Sequence, residues 1–262
     1  MFLRGLPAAL AALVAVGAAT TVAACSSSTA SPDPAGDAGD VDGGAGEEDA
    51  GDETPNPLPG CPQDPGAPEI EFDPQSATDP IGGAEKFTLE MALAGYPESS
   101  GVLTALITTE KGTIRCELDE TAAPISVANF VGLARGTRPY KTSTRWKVGR
   151  FYDGLIWHRV IPNFVIQGGD PRGTGTGGPG YSLVEENHVD EPAGTLAMAA
   201  SNVPSGSQFY IVTGTGPAAN YNVFGKCETE TAIAIAAVPR GPADKPKTDV
   251  HMQRVDIARC PK

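Results

Sequence analysis

The stretch Trp157-His158-Arg159-Val160-Ile161-Pro162-Asn163-Phe164-Val165-Ile166-Gln167-Gly168-Gly169-Asp170 concentrates the side chains that could do chemistry. A guanidinium (Arg159) and a carboxamide (Gln167) lie on two short apolar runs joined by a Pro-Asn turn, with Phe164 and Val165 between them. The guanidinium is always charged and presents its donors in a rigid fork. A second run, Gly206-Ser207-Gln208-Phe209-Tyr210-Ile211, adds another carboxamide and two aromatics. Taken singly, Arg159 reads as half of a surface ion pair, and Phe164 and Tyr210 as ordinary core. Taken together they set a fixed hydrogen-bond donor, two amides and apolar surface on a few short runs.

Other chemistries lack their residues. Gly175-Thr176-Gly177-Gly178-Pro179-Gly180 fits G-x-G-x-x-G, but no helical pattern opens there and Pro179 marks an irregular loop. Neither G-x-x-x-x-G-K-[ST] nor G-x-S-x-G occurs. Glu185-Glu186 reads as solvated loop rather than a carboxylate pair facing one site. His158, His188 and His251 are scattered, and no cysteines show metal-ligand spacing, so no metal site is expected.

Such residues need a scaffold, and the patterning predicts a mainly β one. Residues 103–109 are β-branched and apolar, 110–112 read as a turn, and 113–118 alternate with period two, which together make a hairpin. Val127, Phe130, Val131 and Ala134 follow Pro124 at helical spacing, with Ser126 near the N-cap and Gly136 as the stop. Short apolar runs at 155–161, 164–167, 195–199, 208–213 and 223–226 are parted by Gly- and Pro-rich loops. Residues 229–238 suggest a second short helix and 251–258 a last strand. The pattern predicts a closed barrel or sandwich capped by helices. Residues 81–101 read as transitional, and the basic stretch 137–150 as a solvated insertion loop.

In order along 102–260, these motifs resemble the cyclophilin family of peptidyl-prolyl cis-trans isomerases. The family pattern F-H-R-[VI]-I-P-x-F-x-x-Q-G-G-D is matched from Trp157, in place of its first aromatic, to Asp170. The glycine-rich stretch 173–180 resembles the loop that follows it. Gly194-Thr195-Leu196-Ala197-Met198-Ala199 is similar to G-x-L-[SA]-M-A, Ser205 to Ile211 to N-G-S-Q-F-[FY]-I, and Val223-Phe224-Gly225-Lys226 to V-F-G-[KR]. Ala123-Pro124 and Asn129-Phe130-Val131 resemble the first helix.

The resemblance implies an eight-stranded antiparallel β-barrel capped by two α-helices, and catalysis of X–Pro rotation with no cofactor. It implies that Arg159 donates to the prolyl nitrogen of a twisted amide, with Gln167 as the second catalytic residue. Phe164, Val165 and Tyr210 would grip the proline ring, and Gln208 would help Gln167 orient Arg159 or the substrate backbone. Met198, Ala199 and Ala200 would lie along an extended peptide, and Tyr221 would close the pocket. Ala200 stands where the family often has Asn, Val165 where it has Met, and 216–221 where relatives keep an apolar rim, which bears on cyclosporin sensitivity. The implied partners are proline-containing polypeptides, and a monomer is expected. The alternative is a proline-peptide binding module without useful turnover, which the activity of Arg159→Ala separates from an enzyme.

The chain before residue 81 is of another kind. Residues 1–24 carry Arg4 and an Ala-rich apolar run, and read as a secretion signal. Val22-Ala23-Ala24-Cys25 resembles a bacterial lipobox, which would make Cys25 a lipidation site and the membrane anchor. Ser26, in place of the Asp that retains lipoproteins at an inner membrane, favours the outer membrane of the cell envelope. Residues 26–80 hold 14 acids and no Lys or Arg, which predicts a disordered, self-repelling spacer. The net charge of −13 therefore misleads, since 81–262 carries 18 acidic and 18 basic residues and gives no footprint for nucleic acid. The expected organisation is a signal at 1–24, a lipid-anchored acidic linker at 25–80 and the isomerase domain at 81–262. Cys61, Cys116, Cys227 and Cys260 permit two disulfides in an exported chain, with three pairings open.

Overall fold

The computed structural model describes residues 61–260 except 63, 99 and 218–220, so the signal-like segment, Cys25 and the acidic segment as far as residue 60 lie outside the described residues. The hairpin falls where period two places it: β1 is Val102–Thr109 and β2 is Gly112–Leu118. Six short strands follow, β3 Leu155–Ile156, β4 Arg159–Val160, β5 Val165–Gly168, β6 Thr195–Ala200, β7 Pro204–Val212 and β8 Val223–Cys227. The described chain ends with β9 His251–Met252 and β10 Arg254–Cys260.

Eight of these strands form one antiparallel sheet in the order β10-β1-β2-β8-β6-β7-β5-β4. The expected eight-stranded antiparallel architecture is present, but its ladder is not continuous around the barrel. The edge strands β4 and β10 do not pair directly. Instead β3 leads into β4, β9 leads into β10, and β3 pairs with β9 in a two-stranded ribbon. The ribbon bridges the gap that a two-residue edge strand cannot span.

Strand alternation sends one set of side chains inward. Ile107, Ile114, Ile166, Leu196, Met198, Phe209, Ile211 and Phe224 are buried in one large cluster. Helix α2, Pro124–Arg135, runs against it, with Phe130 within 5.0–5.3 Å of the Tyr152, Phe209 and Phe224 rings. Its start has Pro at the first helical position, and its stop is Gly136 at φ 88°, a left-handed cap. The N-terminal cap differs from the sequence expectation. Ser126 does not cap the helix; Glu186, from a distant loop, accepts the amides of Ile125 (2.7 Å) and Ser126 (2.8 Å) and the Ser126 hydroxyl. One of the two carboxylates read as solvated loop is thus the anion at a helix N-terminus. The second expected helix is α3, Glu230–Ala236. A third, α1 at Leu89–Ala92, is only one turn long and lies in the stretch read as transitional.

The largest departure is at the N-terminal side. Residues from Cys61 to 80 do not behave as spacer but pack as a strap on the domain. Arg135 and Arg138, both fully buried at and beyond the end of α2, take Asp64 and Asp79 as bidentate partners. Trp146 donates its amide to Pro74 O and its indole N–H to Ser76 O. The basic stretch read as a solvated loop is therefore half of an interface. Arg138 lies over the Phe87 and Tyr181 rings, and Lys141 over Trp146. Two acids counted as spacer charge are the counter-ions of buried arginines, which a sum over composition cannot reveal. The cysteines pair as Cys61–Cys260, which fastens the strap to β10, and Cys116–Cys227, direct cross-strand partners in the β2–β8 ladder.

Candidate active site

The face of the sheet opposite the main core carries a second, smaller apolar cluster. Val165, Ala197, Tyr210 and Val212 are buried there, with Phe164, Ala199, Tyr221 and Val223 packed against them. Each is the alternate of an inward residue: Val165 beside Ile166, Ala197 and Ala199 either side of Met198, Tyr210 between Phe209 and Ile211. The cluster floors a pocket of about 160 Å³ lined by Arg159, Phe164, Val165, Gln167, Ala199, Ala200, Tyr210, Pro217 and Tyr221. Eight of these were expected from the sequence; Pro217 was not, although it restores some apolar surface to the altered rim. Of the expected residues Gln208 and Met198 do not line it, and Met198 lies on the other face of its strand. It is fully buried in the main core, because period two turns it away from the pocket and turns Ala197 toward it.

The short strands set the polar groups. Arg159 and Gln167 face each other across the β4–β5 ladder, and Gln167 faces Tyr210 across β5–β7. The Asn163 backbone, at φ 57°, makes the reversal between β4 and β5, a conformation that Asn tolerates better than most residues. Arg159 is half-buried, with its guanidinium 5.9 Å from the Phe164 ring centroid. It makes no ion pair among the described residues, which removes the surface-bridge reading, and it lines the pocket. Gln167 donates to Gln208 Oε1 at 3.1 Å. Gln208 spends its own amide on Gly175 O (3.0 Å) and Gly177 O (2.8 Å). Gln208 thus holds the glycine-rich loop and Gln167 together and does not line the proline-sized pocket.

That loop is also tied from below by Asp170, whose carboxylate accepts the amides of Arg172, Thr174, Gly175 and Thr176. Burial alone would raise the Asp170 carboxyl, but the loop amides outweigh it and hold its pKa below the ordinary value. On the other side, the Tyr210 hydroxyl donates to Glu191 Oε2 at 2.5 Å. Glu191 is 7 % exposed, and burial is the main reason its carboxyl is pushed up, against the lowering influence of Tyr210. Burial and the adjacent carboxylate push the Tyr210 hydroxyl up as well. Nothing in the sequence marked Glu191, which reaches Tyr210 from a loop nineteen residues earlier.

A β-bulge completes the site. The β6–β7 register shifts between Met198 and Ala200, so Ala199 stands outside the regular pairing at the pocket edge. Bulges re-aim backbone and often lie beside functional sites. The arrangement provides a small apolar pocket, one unpaired cationic donor at its rim, an oriented amide and irregular backbone beside it. It offers no nucleophile, and among the described residues no group of side chains could hold a metal ion.

Comparison with known proteins agrees with this geometry. Residues 104–257 match the family model for cyclophilin type peptidyl-prolyl cis-trans isomerase/CLD. The chain is 42 % identical over 168 residues to peptidyl-prolyl cis-trans isomerase A of Mycobacterium tuberculosis, covering 59 % of this chain and 92 % of that one. It is 40 % identical over 171 residues to peptidyl-prolyl cis-trans isomerase B of Streptomyces anulatus, covering 59 % and 96 %. A crystal structure of a Cryptosporidium parvum cyclophilin type peptidyl-prolyl cis-trans isomerase superposes with a TM-score of 0.53 at 28 % identity, covering 61 % of this chain and 99 % of that one. The chain belongs to the cyclophilin-type peptidyl-prolyl cis-trans isomerase family, and rotation about X–Pro bonds is the reaction it catalyses.

Proposed function

We propose that the protein accelerates X–Pro rotation in polypeptides outside the cytoplasm, from a tether lipidated at Cys25, with Arg159 as the residue that stabilises the twisted amide. The uncatalysed barrier is about 18–20 kcal/mol and reflects lost amide resonance. A catalyst need only bind the twisted amide better than either planar form. On twisting, the prolyl nitrogen becomes pyramidal and regains a lone pair. Phe164, Val165, Tyr210 and Tyr221 hold the ring, and the Arg159 guanidinium donates to that nitrogen, a preorganised charge aimed where electron density develops. Gln167, steadied by Gln208, orients the substrate backbone, and the irregular edge at Ala199 and Ala200 receives the extended peptide. The observation that carries the assignment is Arg159 standing unpaired at the rim of an apolar pocket.

Exchange NMR on a short X–Pro peptide tests it. Wild type should accelerate cis–trans exchange well above the uncatalysed rate. Arg159→Ala should lose about 100- to 1,000-fold in catalytic efficiency, the loss typical when one transition-state donor is removed, while still binding the peptide. Unchanged turnover in that variant would sink the mechanism. Peptide binding by wild type without acceleration would favour the binding-module reading instead. The lipid is checked separately, by mass spectrometry of the processed N-terminus with and without Cys25→Ser.

A further inference from the structure

Next to the proline pocket lies a much larger groove of about 840 Å³, which shares Gln167, Ala199 and Ala200 with it. A peptide with its proline seated and its backbone passing Ala199 and Ala200 must place a neighbouring side chain there. The lining has a consistent chemistry. It contains two cations, Lys141 and Arg172, no carboxylate, and the hydroxyls of Thr142, Ser143, Ser201 and Ser205. Neither cation makes an ion pair among the described residues. Asp170, which lies behind the wall at Gly177, is already engaged by four loop amides.

Lys141 is also held in place. Its amide donates to Pro179 O at 2.8 Å, and its ammonium sits 4.8 Å from the buried Trp146 ring, which the 61–80 strap fixes in turn. A side chain so placed loses less entropy on pairing than a free surface lysine. We infer that this groove selects substrates carrying an Asp or Glu side chain a few residues from the target proline, with Lys141 and Arg172 as the selecting residues. The inference rests on the isomerase reading of the adjoining pocket.

The test uses a set of X–Pro peptides in which Ala, Glu or Lys occupies, in turn, each of the three positions on either side of the proline. Both affinity and exchange rate are measured, at low and at high salt. Glu at one position should raise kcat/KM and tighten binding by about three- to tenfold over Ala, as two partly exposed cations allow. Lys there should do the reverse, and added salt should erase the difference. Lys141→Ala with Arg172→Ala should abolish the preference while keeping the rate on the all-Ala peptide. Equal rates and affinities for Ala, Glu and Lys at every position would overturn the inference, as would a preference that survives the double substitution. An affinity preference with no acceleration on any peptide would instead overturn the isomerase reading and leave the groove assignment standing.

Discussion

Tyr210 serves the site twice, with its ring in the pocket wall and its hydroxyl on a buried carboxylate. The hydroxyl bond fixes the ring, so Glu191 shapes the pocket without lining it. In Tyr210→Phe the carboxylate loses its side-chain donor while staying buried, which should cost about 1.5–3 kcal/mol in denaturant unfolding. Isomerase activity should fall far less than in Arg159→Ala, since the ring remains. Glu191 also gives the protein a pH signature. Because burial raises its folded pKa above the unfolded value, the stability linked to it is full below the unfolded pKa and is lost as pH rises through the folded pKa. Gln at this position accepts the same bond and does not titrate. Glu191→Gln should therefore gain on wild type as pH rises from acid to neutral; parallel stability curves for the two would show that the carboxyl titrates normally. The sequence displayed Arg159, Phe164 and Gln167 because a turn brings near neighbours together. It hid Glu191, because a loop contact leaves no periodic trace.

At the scale of elements, α2 was legible in its body and stop but not in its start. Helical spacing of apolar residues follows from the face they bury, and Gly136 follows from the left-handed cap it makes. The capping anion comes from sixty residues away, so local rules pointed to Ser126 instead. Glu186→Ala strips two amides and the Ser126 hydroxyl of their acceptor. It should lower stability by about 1–2 kcal/mol, the upper range for a lost cap, read as a shift in the denaturation midpoint. The same limit explains Met198. Its motif names a strand that borders the pocket, but which face of that strand lines it depends on register, and one residue of slip exchanges pocket for core. The hairpin and the motif strands were readable because alternation and turn residues are local properties.

For the whole molecule, the domain boundary was misplaced because composition masks pairing. A segment rich in Pro, Gly and Asp looks like spacer until its acids are seen to neutralise Arg135 and Arg138. A chain begun at residue 81 should be less stable than one begun at 61 by about 3–5 kcal/mol or more, the cost of leaving even one buried charge unpaired. Thermal unfolding of the two chains under reducing conditions, where the Cys61–Cys260 bond does not contribute, checks this. The same bond has a consequence of another sort. It joins the two ends of the described chain, so that residues 61–260 form a covalent ring with the Cys116–Cys227 link nested inside. A ring cut once stays in one piece. Any single protease nick in an exposed loop of that ring should leave one species on a non-reducing gel and two fragments only after reduction, so a cut there would scar the molecule without releasing part of the ring.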